Sequence, residues 1–384
     1  MNNYGFLSRL LKLFFLILIS STVQAQYCVS GCNPNTFVNS ADPNTIEYDN
    51  LISVFHASLA KEKDGSFKVW GQVSNSDGAS DLLSPTLIAP SNGFNYTGTP
   101  LRVAAGSVSN TGHQFALLTT DGLYVWGTTN TLISSTIKNS PVFGKITING
   151  KTDGLPAGVN PSDVKMMFGS YRTLAIVTCT GDAWVLSFNG SKNGDGTAEN
   201  TSNNNVIWHR VKTSLAGNPN LNNVVAMRGT PNALFALTSD GKLYTWGTGT
   251  YVNSGAAATR NYATEVSVPI GATPKMIGMT QGGASLLQTY YLLATDGKLY
   301  AMGDNSNKQL GDGSTTTSTV WKEVTAVSGS NTLGGNIVWI SPNEHSNYAN
   351  SATINVLTNN NKQWAWGANS GNMIGQPTAS AFYD

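Results

Sequence analysis

Short apolar runs alternate with polar turns along most of the chain, and the alternation repeats. Phe235-Ala236-Leu237 and Leu292-Leu293-Ala294 each lead into a turn, and a second apolar run follows the turn. In the segment Thr119-Thr120-Asp121-Gly122-Leu123-Tyr124-Val125-Trp126-Gly127, Tyr124 and Trp126 fall on one face of an extended strand. Leu123 and Val125 fall on the other, because side chains alternate with a period of two. Asp-Gly between apolar runs predicts a tight hairpin, since glycine accepts positive φ and Asp tolerates it. Both faces of the return strand are apolar, so each strand must be covered on both sides. An isolated hairpin cannot provide that cover.

The same pattern returns as Thr238-Ser239-Asp240-Gly241-Lys242-Leu243-Tyr244-Thr245-Trp246-Gly247 and as Thr295-Asp296-Gly297-Lys298-Leu299-Tyr300-Ala301-Met302-Gly303. An earlier copy is Lys63-Asp64-Gly65-Ser66-Phe67-Lys68-Val69-Trp70-Gly71, and a later one runs from Thr358 to Gly367 through Trp364 and Trp366. Thr180-Gly181-Asp182-Ala183-Trp184-Val185-Leu186-Ser187 is a degenerate copy. The closing residue falls at 71, 127, 187, 247, 303 and 367, so the spacings are 56, 60, 60, 56 and 64. About sixty residues hold roughly four strands of about five residues with their loops. Sheets stacked face to face around an axis bury both faces of every strand, so an all-β propeller is expected.

These residues resemble the RCC1-like (regulator of chromosome condensation type) propeller repeats, in the form of a secreted bacterial-type member. The resemblance rests on the hairpins and on the loop Gly303-Asp304-Asn305-Ser306-Asn307-Lys308-Gln309-Leu310-Gly311-Asp312-Gly313. Gly367-Ala368-Asn369-Ser370-Gly371-Asn372-Met373-Ile374-Gly375-Gln376 matches that loop in part. His56-Ala57-Ser58-Leu59-Ala60 and His113-Gln114-Phe115-Ala116-Leu117 resemble the strand that opens the motif, and the likeness covers residues 46–384. Leu186 and Met302 stand where the motif has Trp, and Ser187 where it has Gly. The two apolar replacements should preserve packing, while Ser187 should mark a different local backbone. Loop glycines are mostly lost after Trp126-Gly127 and Trp246-Gly247. The resemblance implies a ring commonly closed by seven blades, whereas six hairpins are present here. An incomplete or open ring is therefore expected, with an exposed edge that tends to pair.

Residues 1–25 read as an export signal. Arg9 and Lys12 precede the apolar run Leu13 to Ile19, and Val23-Gln24-Ala25 offers a cleavage site. The run is shorter than the roughly 20 residues that span a bilayer. No later segment spans either, which predicts a secreted or cell-surface product. Residues 26–45 form an N-terminal segment carrying Cys28 and Cys32, for which a local disulfide is expected. Cys179 follows the apolar run Leu174 to Val177 and is expected as a small core residue.

Composition narrows the function. The 384 residues carry 22 basic and 21 acidic groups, a net charge of +1, which argues against a nucleic-acid binder working through bulk charge. At 40% hydrophobic, the chain has enough apolar surface to avoid wholesale disorder. Of four histidines, His56, His113 and His345 are expected at equivalent blade positions, and His209 on an outer strand. Nucleophile-elbow, zincin and P-loop motifs are missing, and the sparse acids fall largely in the Asp-Gly turns. Asn189 to Asn200 resembles a calcium loop but lacks its acidic first and last ligands, so a glycine-rich blade turn is expected. Trp70, Trp126, Trp246 and Trp366 are expected in the repeat core. No catalytic, metal or cofactor residue is assigned. The expected function is a non-enzymatic interaction module that binds an extracellular protein or glycan through propeller rim loops. A secreted enzyme inhibitor is the alternative, ahead of a hydrolase or lyase; nucleotide exchange on a small GTPase conflicts with export.

Overall fold

The structure is a computed structural model. It describes residues 43–108, 112–188, 190–197, 206–253, 255–282, 286–324, 326–328, 331–333, 336–345, 352–369 and 382–383. The expected signal peptide, Cys28 and Cys32 lie outside the described residues.

Among the described residues, six four-stranded antiparallel sheets follow one another along the chain, so the expected all-β propeller is found, with six blades. Blade 1 comprises Leu51–Val54, Ala57–Lys61, Phe67–Gly71 and Leu82–Leu87; blade 2 comprises Pro100–Ser107, His113–Thr119, Gly122–Gly127 and Gly144–Lys145. Blade 3 comprises Val164–Ser170, Thr173–Thr178, Ala183–Ser187 and His209–Arg210. Blade 4 comprises Val224–Gly229, Ala233–Thr238, Leu243–Thr250 and Ala258–Val266. Blade 5 comprises Pro274–Gly282, Leu287–Ala294, Leu299–Gly303 and Ser318–Glu323. Blade 6 comprises Ile337–Pro342, Thr353–Thr358, Gln363–Ala368 and Phe382–Tyr383. The first strand of each blade faces the axis and the fourth lies outermost. The Asp-Gly segments form the hairpins between second and third strands, as their local chemistry requires.

Each inter-blade layer is apolar. Ile52, Leu59, Phe67 and Val69 of blade 1 pack against Val103, Phe115, Leu117 and Trp126 of blade 2. Ala104, Ala116 and Val125, on the other face of blade 2, pack against Met167, Leu174 and Leu186 of blade 3. The central strands of blades 2 to 5 are therefore buried along most of their length, as in Leu123 to Trp126. Burial of this kind contributes about 25 cal/mol per Å² of apolar surface, and it is what orders the repeats.

The tryptophans obey a rule that the sequence motif does not state. The Trp126 indole of blade 2 donates to the Ser74 carbonyl in the loop leaving the third strand of blade 1, at 3.0 Å. Trp246 of blade 4 donates to Lys192 O of blade 3 at 2.7 Å, and Trp366 of blade 6 to Gln309 O of blade 5 at 3.1 Å. Leu186 and Met302, which have no N–H to donate, stand at this position in blades 3 and 5. Leu186 packs on Leu132 and Ile133. In blade 5, the Tyr290 hydroxyl accepts from Tyr251 N at 3.2 Å. Both replacements are buried, at 1% and 2% exposure, so packing is preserved as expected.

Ser187 also behaves as expected. The glycines at its equivalent positions, including Gly247 with φ 103°, have positive φ, and Ser187 is not among the positive-φ residues. A Cβ on Gly247 would stand 2.4 Å from Asn232 O. The Ser187 hydroxyl lies 3.0 Å from that of Thr173 and donates to Arg172 O.

Two core assignments need correction. Trp70 is half-buried, on the face of blade 1 that points away from blade 2. Cys179 lies half-buried in the hairpin turn after Thr178, outside the core, and is disulfide-bonded. The strand ends at Thr178, whose N–H turns to Asp182 O at 2.9 Å.

Candidate functional site

The inner strands run from the hairpin face toward the opposite face, and the residues at their far ends meet near the axis. Arg228 sits near the end of Val224–Gly229, in an otherwise apolar strand, and is 4% exposed. Its Nε donates to Glu344 Oε2 at 2.7 Å, and Nη2 reaches the same oxygen. Nη1 donates to both carboxylate oxygens of Asp49, at 2.8 and 3.0 Å. The guanidinium lies 5.0 Å from the Tyr48 ring centroid and 4.8 Å from that of Phe168. Forked, planar and always charged, arginine can serve two carboxylates and two rings at once.

The surrounding groups tie this cluster to every blade. Glu344 Oε1 accepts from Met279 N of blade 5 at 2.9 Å, and the Tyr48 hydroxyl accepts from Ile277 N at 3.1 Å. His345 Nδ1 lies 2.6 Å from Gly169 O of blade 3, so this nitrogen carries the proton. The His345 carbonyl accepts from Ser107 N of blade 2 at 3.1 Å. Blade 1 enters through Asp49, just ahead of its first strand, blade 4 through Arg228, and blade 6 through Glu344 and His345. Cation and anions thereby close the middle of the ring.

Electrostatics follow from burial. Burial pushes the Glu344 carboxyl up to about 7, against the pull of Arg228. Two carboxylates facing one guanidinium would leave net negative charge in a dry site, so a raised affinity for a proton fits the count. His345 is driven down to about 4, first by burial and then by Arg228, and is held neutral. Arg228 is held charged despite its burial by Asp49 and Glu344.

Other polar groups have local roles. His113 is buried, with neither ring nitrogen hydrogen-bonded, and burial holds it down to about 4. His56 and His113 do share one position, each preceding the residue opposite the closing glycine. His345 does not: it follows the inner strand of blade 6 and belongs to the axis. His209 lies on the outer strand of blade 3, as expected, with Nδ1 2.6 Å from Asp195 Oδ2. That imidazole–carboxylate pair could pass for catalytic machinery, yet blade 5 repeats it with Lys322 on Asp312 at 2.7 Å. His209 and Lys322 occupy the same place by register, opposite Val185 and Ala301. The pair is a repeat feature that fastens a loop to an outer strand. Asp195 is engaged with His209 and Thr197, which accords with a blade turn at the expected calcium-like segment. Lys192 is buried in that turn; its ammonium donates to Pro231 O at 2.6 Å, and burial lowers it to about 7.

Sequence reasoning missed the axial cluster. The one available signal was Arg228 inside the run Val224-Val225-Ala226-Met227, where a charge has no place unless partners await it. Among the described residues, no three His, Cys, Asp or Glu side chains are grouped to hold a metal, and no helix is long and apolar enough to cross a membrane.

No protein-family model matches the chain, and no curated protein matches it. Solved structures do. Human WBSCR16 aligns with a TM-score of 0.57 at 14% identity, over 84% of this chain and 78% of that one. Prp20p from Saccharomyces cerevisiae, in a study of its binding to Gsp1p and histones, aligns with a TM-score of 0.59 at 15% identity, over 87% and 74%. Yeast RCC1 (Prp20) bound to Kap60 gives 0.59 at 16%, over 86% and 73%. At this identity the likeness establishes the fold alone: the chain is built as an RCC1-like β-propeller.

Proposed function

We propose that this chain is a non-catalytic protein-interaction module that engages its partner through loops on a propeller rim. The observation that carries this reading is the closed axis. Arg228, Asp49 and Glu344 satisfy one another across the centre, where a propeller enzyme would need an open, polar bore. Rim loops on a rigid ring are the surface left for recognition. The similar Prp20p is described as binding Gsp1p and histones, and as bound to Kap60, which supports a protein rather than a small ligand. The export-signal reading of residues 1–25 makes the partner an extracellular or cell-surface protein.

On the hairpin face, Leu215 is 56% exposed and Ile270 fully exposed, on the loops that enter blades 4 and 5. Apolar side chains at loop tips supply contact area at a rim. The test is capture of surface and secreted proteins by the purified mature chain, compared with Leu215→Asp/Ile270→Asp. A partner held by the parent and lost by the double variant supports the reading. Turnover of a substrate without stable capture would overturn it. A glycan array and a panel of secreted hydrolases, run with the same two proteins, distinguish the glycan-binding and enzyme-inhibitor alternatives.

A further inference from the structure

The segment that leads into blade 1 lies in the middle of the ring, and residues 46–49 join no sheet among the described residues. Pro43–Thr45 packs against the first strands of blades 4 and 5. Ile46 belongs to the buried layer of Met276, Ile337 and Ile340 in blades 5 and 6. The chain passes through Glu47, Tyr48 and Asp49 to blade 1, where Asn50 O accepts from Lys61 N at 2.9 Å. Its side chains take groups that the ring offers. The first strand of a blade is a sheet edge, so its axis-side N–H groups have no ladder partner. The Tyr48 hydroxyl accepts from one of them, Ile277 N, at 3.1 Å, while Glu344 of blade 6 accepts from Met279 N at 2.9 Å. Glu47 Oε2 pairs with the Lys61 ammonium at 2.7 Å, and Asp49 with the Arg228 guanidinium at 2.8 Å. The Lys61 side chain is only 7% exposed and that of Arg228 5%. A tyrosine between two carboxylates is thus matched to an edge N–H and two buried cations.

Asp49 is the surplus charge of the centre. Glu344 alone balances Arg228, accepting from both Nε and Nη2 on one oxygen. Burial and, less strongly, repulsion from Asp49 push the Glu344 carboxyl up. Withdrawing Asp49 therefore leaves a neutral pair in the dry site, whereas the costly case is a buried ion left without its partner. Withdrawing Glu47 and Tyr48 frees the Lys61 ammonium and the Ile277 N–H, groups that a second acidic segment satisfies equally well.

We propose that the centre of the ring is a binding site for an acidic peptide, one aromatic residue between two carboxylates, and that Ile46-Glu47-Tyr48-Asp49 fill it in cis as a displaceable strap. Arg228 and Glu344 stay paired when the strap leaves, so the site binds without baring a catalytic pair. It is additional to the rim loops, and its test does not depend on them.

Hydrogen exchange of the full chain, resolved to single amides by fragmentation, tests the strap. Release exposes the Ile277 N–H but not that of Met279, so Ile277 should exchange faster than Met279 and faster than Leu292 on the adjoining strand. Tyr48→Phe/Asp49→Asn keeps the aromatic ring and removes the hydroxyl and the charge. It should speed Ile277 exchange several-fold further and leave Met279 unchanged. A fluorescent synthetic peptide copying residues 43–50 then probes the site by anisotropy. The cis strap competes at an effective concentration of about 1 mM, so the parent should bind the peptide weakly. The double variant should bind it on the order of tenfold more tightly. Bound peptide should slow Ile277 again, and a peptide carrying Glu47→Gln and Asp49→Asn should not bind. Equal exchange of Ile277, Met279 and Leu292 overturns the proposal, as does a folded double variant that ignores the peptide or takes the uncharged one as well. A double variant that fails to fold overturns it too, because a strap is separable from the ring it fills.

Discussion

The indole of Trp246 reaches from blade 4 into the loop of blade 3 and donates to the Lys192 carbonyl at 2.7 Å. Gly194, two residues on, has φ 69° and lies directly beneath that indole, where a Cβ would come within 2.8 Å of Nε1. Gly311 repeats the arrangement under Trp366 with φ 67°. Loop glycine and tryptophan form one device, divided between neighbouring blades.

Gly194→Ala should therefore destabilise the fold by more than Gly150→Ala. Both residues have positive φ, but a Cβ on Gly150 would meet nothing within 4 Å. The strain of the left-handed region costs about 1–2 kcal/mol at either site. At Gly194 the displaced indole adds the loss of a buried hydrogen bond, roughly 1–3 kcal/mol. Chemical denaturation of the two variants should show this order, and equal effects would refute the device.

Arg228→Met should cost about 3–5 kcal/mol, because it leaves Asp49 and Glu344 buried without their cation. Adding Glu344→Gln should recover part of that loss, since it removes a carboxylate whose charge then has no partner. Denaturation midpoints of the single and double variants measure the coupling. Additive effects would mean that the axial contacts are energetically independent.

His113 should make the fold acid-sensitive. Its folded value, about 4, lies below the ordinary 6.5, so between these values the unfolded chain binds more protons. Stability from this group is complete above about pH 6.5 and is lost as pH falls toward 4. Buried His345 acts in the same direction, while Glu344, raised to about 7, acts in the opposite one. His113→Leu should flatten the acid limb by on the order of 2 kcal/mol. An unchanged stability profile between pH 4 and 6.5 would show that the imidazole is not held neutral.

His209→Lys should leave stability within about 1 kcal/mol of the parent, because partly exposed ion pairs contribute little and lysine already serves at the equivalent Lys322. Partner capture should be equally unaffected. Loss of function with an intact fold would make the His209–Asp195 pair more than a loop fastener.

The blades were legible in the sequence because their bonds are local. Leu118 pairs with Leu123, and Phe115 with Trp126, across an Asp-Gly turn of a few residues, so a period of two and a turn signal describe them fully. The meaning of Leu186 and Met302 was half legible: their apolar character foretold packing, but the carbonyl that the tryptophans at this position bond lies in the loop of another blade. The axial cluster was not legible at all. Arg228 meets Glu344 across 116 residues and Asp49 across 179, and no spacing rule joins them.

The repeated unit itself is thus written in short-range chemistry: alternating apolar faces, a turn with positive φ, and a closing Trp-Gly. Which faces are covered, which indole finds a carbonyl, and which charges meet at the centre depend on the curvature that stacks one sheet on the next. Only the assembled ring brings the ends of the inner strands within hydrogen-bonding distance, and low-dielectric burial there turns scattered charged residues into a mutually dependent set.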